Sequence, residues 1–366
     1  VSVNTNKHDL KTSLFRSLIA GLNLDAHETE QITKHFEENA EEFNQIFALD
    51  LYQTLNKQKD EFLAEHYDLF LKFRERLFET WKTPLVRLDS LLYICMETVE
   101  EIRRDTTDPL VQKTNKFDIA TRLHARCVQV GNEISHLLHG VYADGAFARW
   151  RTLHESSTTT KFICEGNEDL ATRFLDFQCI NRFRAATNYN KCNELEFKSF
   201  DYDQIEEFKK EKDLVLEKHG VQFGKKYGWA REALGESANP TGDIHFAAIE
   251  EFVGVSFLRN FFAFANQYVH AGIDSIGFKL GTSMSNKDVL LTGPSNEGLT
   301  DPIQCTSLSL IYATEALLNA YPRDDSSITI LVLWLWHDAL KQEVVEASDA
   351  LQRKGDALRR RESNEK

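Results

Sequence analysis

The stretch Gly140–Glu155, GVYADGAFARWRTLHE, decides how the rest of the chain is read. Gly140 and Gly145 bracket a turn, Asp144 suits a helix N-cap, and helical spacing then continues to about Ile163. At about 100° per residue, Arg151, His154 and Glu155 share a sector roughly 100° wide, and Arg151 and Glu155 have the i,i+4 spacing that lets opposite charges meet. Arg149 lies about 140° from His154 on a straight helix, so their spacing alone does not bring the two side chains together. A helix this mixed in character has to be read together with its neighbours.

Those neighbours are helical too. Only 6 prolines and 17 glycines punctuate 366 residues, and the Leu, Glu, Lys, Ala and Phe content suits helices. The expectation is an all-α fold: a multi-helix bundle with long antiparallel helices and an N-terminal helical extension. With 42% hydrophobic and 27% charged residues, most of the chain should fold around a buried core, in which the 25 phenylalanines act as packing.

Three regions are expected. Residues 1–66 form an acidic extension that alternates charge with Phe and Leu at helical spacing; it is either a helical layer or the place for a homodimer or protein partner. Residues 67–352 form the main helical bundle, and 353–366 a charged tail. Within the bundle, the pattern from Asp68 to Arg104 should break at Thr83-Pro84, since proline lacks the amide donor. Further helices are expected at Phe117–His139, Leu170–Ala186, Val253–Gly272, Cys305–Tyr321 and Ile328–Leu351, with a solvated Lys/Glu-rich helix within 188–225.

A net charge of −14 works against non-specific adhesion to nucleic acid or anionic membranes, so an RNA partner would need a local basic cleft. The six cysteines make no CxxC pair and no apolar leader follows the N-terminus, which fits a reducing cytoplasm. The longest apolar run, Ile328–Trp336, falls far short of the roughly 20 residues a membrane span requires and is expected to be a buried helix. No membrane association is expected.

Two more polar faces stand out. Arg122, Arg126, Glu133 and His136 fall within about 80° of one another, as a solvated stripe or as one wall of a cleft. On the expected 253–272 helix, Arg259, Asn266 and His270 line up within about 60°, and His270 lies near a C-terminus, where the macrodipole favours imidazolium. That line is either a water-facing side or a cleft wall. No phosphate-cradling glycine motif is present, so no cofactor is expected; the lone Glu133-x-x-His136 is half of what a carboxylate-bridged metal site needs, so no metal is expected.

The strings LLHGVYADGAFARWRTLHE, KKYGWA, NQYVHAG and GPSNEGLTDP resemble the bacterial domain of unknown function 5677 family, from roughly Leu85 to Leu340. The resemblance implies a helical domain whose characteristic polar elements are the arginine-rich helix (Arg149, Arg151, Glu155) and the helix bearing His270. More distantly, arginine and histidine on central helices look like the HEPN superfamily of metal-independent ribonucleases, many of which act in toxin or anti-phage systems. Arg149 and His154 match its Arg-x4-6-His spacing, with Trp150 where a polar residue is usual.

Two functions stay open. In a ribonuclease of HEPN type, His154 or His270 would serve as acid and base, and Arg149, Arg151 or Arg259 would hold phosphate, with Glu155 and Asn266 beside them. In a non-catalytic interaction or regulatory module of a defence or signalling assembly, the same Arg, Glu and His groups would form a buried structural network.

Overall fold

A computed structural model describes residues 25–38, 40–191, 198–235, 242–270, 272–277, 279–282 and 290–364. Its elements are α-helices and short 3₁₀ turns, with no strand among the described residues, in keeping with the expected all-α class. The chain divides into two compact units, residues 1–73 and 74–366. None of the described helices is long and apolar enough to cross a membrane.

The first unit holds α1 (Ala26–Glu38) and the start of α2 (Ala40–Asp105). Along α2, Phe47, Leu51, Leu55, Phe62 and Leu69 fall within a sector of about 80°, and all five are exposed. Residues 1–24, where the extension was expected to begin, lie outside the described residues.

In the second unit α2 runs on without the expected break, carrying Pro84 inside it. Proline removes one backbone hydrogen bond, but Trp81, Leu85, Leu88 and Leu91 around it are fully buried, and their packing outweighs that loss. After a single turn at Pro109–Gln112 come α3 (Asn115–His139), α4 (Ala143–Glu165), α5 (Glu168–Lys191) and α6 (Tyr202–His219). Short helical pieces follow, among them α7 (Phe246–Phe252) and α8 (Arg259–Ala265), and then come the long α9 (Thr300–Ala320) and α10 (Ser326–Asn364).

Helix α4 lies at the centre, packed on α3, α9, α7 and α8. It can do so because apolar residues cover most of its circumference: Phe147, Trp150, Leu153, Phe162 and Ile163 are fully buried. Trp150 Nε1 donates to the Cys305 carbonyl (2.9 Å) and Ser309 Oγ (3.0 Å), and Ser157 Oγ donates to the Ser309 carbonyl (2.6 Å), so α4 and α9 are joined by polar bonds within an apolar interface. Helix α2 comes close to α3 at Gly131, where a Cβ would sit 2.5 Å from Leu92.

Three local expectations are corrected. Asp144 does not cap α4; the cap position is Tyr142, without a side-chain bond, and Asp144 Oδ1 instead accepts from the Leu280 amide at 2.8 Å, pinning a distant turn. The expected 253–272 helix is interrupted: α7 ends before Gly254, whose φ of +74° turns the chain, and α8 spans only 259–265 between 3₁₀ turns at Ser256–Leu258 and Asn266–Tyr268. The apolar run 328–336 is helical but one-sided, with Leu333 buried while Ile328, Leu331 and Leu335 are exposed.

Candidate functional site

Helix α4 presents His154 to α7 and α8 rather than to solvent. His154 is 1% exposed and Glu250 on α7 is fully buried; the imidazole Nε2–H donates to Glu250 Oε1 at 2.7 Å. The other carboxylate oxygen, Oε2, accepts from Arg259 Nη1 at 2.8 Å. A buried carboxylate is tolerated only with such partners, because burying it unpaired would cost several kcal/mol. The bend at Gly254 makes the arrangement possible: nine residues of straight helix would separate Glu250 from Arg259 by about 13 Å along the axis.

Aromatic rings close the network. His154 lies 5.2 Å from Trp150, 5.4 Å from Phe262 and 6.1 Å from Phe246, centroid to centroid. The guanidinium groups of Arg151 and Arg259 both sit over Phe262, at 4.5 and 5.4 Å from its centroid, so one ring receives two cations. Arg151 and Glu155 stand 3.9 Å apart, an ion pair too long for a hydrogen bond.

The structure thus joins Arg151, His154 and Arg259 and leaves other candidates elsewhere. Arg149 turns outward to Glu133, which also approaches Arg126 at 3.8 Å, so the polar face of α3 is a partly solvated stripe that meets α4 at one point. Asn266 and His270 follow the end of α8; Asn266 Oδ1 has no hydrogen-bond partner among the described residues, and His270 is exposed. Past Ala265 the α-helix tightens into the 3₁₀ turn Asn266–Tyr268, so Asn266 and His270 do not continue the α-helical register of Arg259.

Sequence reasoning missed Glu250 and Tyr227. A signal for Glu250 existed: on α7 it shares a face with Phe246 and Ile249, so the carboxylate interrupts an otherwise apolar stripe. Tyr227 adopts left-handed backbone (φ +52°) in KKYGWA, next to Gly228, where a Cβ would lie 2.1 Å from the Phe223 carbonyl oxygen. Burial and the nearby Glu155 carboxylate push its phenol above the ordinary tyrosine range, while Arg151 and Arg259 oppose that rise. Tyr227 is thus electrostatically tied to the α4 network.

Tyr227 and Glu155 also line an open cleft of about 1190 Å³ bounded by α3, α4, α5 and the 226–229 turn. Phe174, Phe177 and Trp229 give it aromatic surface, and its charged lining is Arg122, Arg182, Arg184 and Lys226 against Asp118 and Glu155. Arg122 Nε is held by both Asp118 oxygens at 2.8 Å, and Arg182 by Glu211 at 2.8 Å. Among the described residues no group of three or more His, Cys, Asp or Glu side chains is placed to hold a metal ion.

No curated protein and no solved structure matches the chain. A family model does match, over residues 117–288, narrower than the expected 85–340. The matched segment contains every residue of the cleft lining and all of the His154–Glu250–Arg259 network, while GPSNEGLTDP lies beyond it. Over this segment, a little under half of the chain, the protein is similar to DUF5677, a family of unknown function.

Proposed function

We propose that the chain acts as a non-catalytic helical interaction module, which binds a partner without converting it. The observation that carries this reading is the sequestration of His154: at 1% exposure, with Nε2 committed to Glu250, it offers no proton to a substrate phosphate. His270, the other histidine an acid–base pair would need, is exposed and is not one of the partners in the His154–Glu250–Arg259 hydrogen bonds. A paired and hydrogen-bonded cluster of this kind fixes how α4, α7 and α8 pack, which is a structural task.

The test is incubation of the full chain with total RNA in the presence of a metal chelator. Intact RNA, unaltered by His154→Ala or His270→Ala, is the expected result. RNA cleavage that is lost in both variants while their circular dichroism is retained would overturn the reading in favour of a ribonuclease.

A further inference from the structure

The chain is strongly acidic, yet the cleft between α3, α4, α5 and the 226–229 turn collects four cations against two carboxylates. Two of those cations are committed, Arg122 to Asp118 and Arg182 to Glu211. The other two are not: among the described residues neither Arg184 nor Lys226 has a carboxylate within ion-pair distance. Arg184 is steadied by the Gly224 carbonyl, which leaves the rest of its guanidinium fork open, and Lys226 Nζ lies 5.6 Å from the Tyr227 ring centroid. Both line the cleft, and Gly224, which steadies Arg184, stands two residues before Lys226 in the chain; a guanidinium fork and an ammonium suit the oxygens of a phosphate.

The rest of the lining suits what a phosphate would carry. Tyr227 and Phe174 are part-exposed aromatic walls, able to take a planar ring against their faces. Gln178 and Asn181 offer amide donors and acceptors, and the Glu155 carboxylate can accept from sugar hydroxyls. We infer that the cleft between α3, α4, α5 and the 226–229 turn binds a mononucleotide, its phosphate on Arg184 and Lys226, its base against Tyr227 and Phe174, and its ribose toward Glu155. A polynucleotide fits less well, because affinity for a polyanion grows with the number of phosphates neutralised, and a net charge of −14 opposes all of them outside this cleft. This inference rests on the reading that the module works by binding.

The experiment is calorimetric titration of the full chain with the common ribonucleoside monophosphates, the matching nucleosides, ribose 5-phosphate and a short single-stranded RNA, followed by chromatography of the recovered ligand. At least one monophosphate should bind at least about tenfold more tightly than its nucleoside or ribose 5-phosphate, since each of these lacks one of the two recognised parts. The double charge reversal Arg184→Glu, Lys226→Glu should weaken binding by at least about tenfold with unchanged circular dichroism; both side chains are exposed. Tyr227→Asn, which removes the ring but tolerates left-handed backbone, should also weaken it. Absence of monophosphate binding, insensitivity to the charge reversal, or RNA binding tighter than any monophosphate would overturn the nucleotide assignment and leave the non-catalytic reading standing. Binding followed by recovery of an altered nucleotide would keep the site and overturn that reading.

Discussion

The α4 network and the neighbouring cleft use the same side-chain types to opposite ends. In the network, a fully buried Glu250 has one oxygen on His154 and the other on Arg259, and its polar groups are spent on each other. In the cleft, Glu155, Arg184 and Lys226 stand at an open surface with capacity to spare. Arg151, within 4.5 Å of the Phe262 centroid and 3.9 Å from Glu155, is where the two regions meet. The lesson is that residue type and helical spacing do not separate a structural polar cluster from a binding one; enclosure does.

The sharpest way to break this contrast is to remove a carboxylate from each region. Glu250→Ala leaves His154 and Arg259 without their acceptor and should lower unfolding free energy by about 3–5 kcal/mol, read from urea denaturation. Glu155→Gln, at a half-open position, should change it by less than about 0.5 kcal/mol. Equal losses in the two variants would erase the distinction.

A second buried histidine extends it to pH. His124 on α3 donates through Nε2–H to Thr314 Oγ1 (2.9 Å), whose own hydrogen goes to the Leu310 carbonyl, and burial pushes its pKa down to about 4, which keeps the ring neutral at pH 7. A depressed histidine means the unfolded chain takes up the proton first. Stability should therefore fall as pH drops from about 6.5 toward 4, by up to about 3 kcal/mol, and His124→Gln should flatten that slope. No difference between variant and parent across that window would contradict the burial of a neutral imidazole.

A smaller acid effect is expected at the α5–α6 contact. Arg173 Nη1 donates to His219 Nδ1 (3.1 Å), so Nε2 carries the hydrogen and donates to Asp176 Oδ2 (2.7 Å). Burial pushes the Asp176 carboxyl up, but the His219 and Lys218 bonds outweigh it and hold the carboxyl below its usual range. A depressed carboxylate stabilises above its unfolded value, and that contribution is lost as pH falls through the folded one. Asp176→Asn should thus remove part of the acid sensitivity below about pH 4. Tyr227→Asn, which relieves left-handed strain, should leave stability within about 1 kcal/mol of the parent while costing ligand affinity.

How much of this was legible depended on range. The all-α class and the central role of Gly140–Glu155 followed from composition and spacing, because burial of both sides of α4 is written in Ala146, Phe147, Trp150 and Leu153. Arg151 and His154 were found because they share one helix face. Arg259 was found too, but for a helix that does not exist uninterrupted, since a single left-handed glycine at 254 redirects the chain. Pro84 misled in the opposite sense, its backbone cost overridden by packing. Glu250 and Tyr227 were missed because what makes them matter is contact across about 70–100 residues of sequence, which no local period encodes.

The central claim is that His154 and Glu250 form one structural unit, and a double-mutant cycle on that pair tests it most directly. With His154→Phe, Glu250→Gln and the double variant each unfolded in urea, the account expects a coupling energy of about 1.5–3 kcal/mol, the double variant being far less destabilised than the sum of the two. Losses that add to within about 0.5 kcal/mol would mean that the two side chains act independently, and the structural reading of the network would fall.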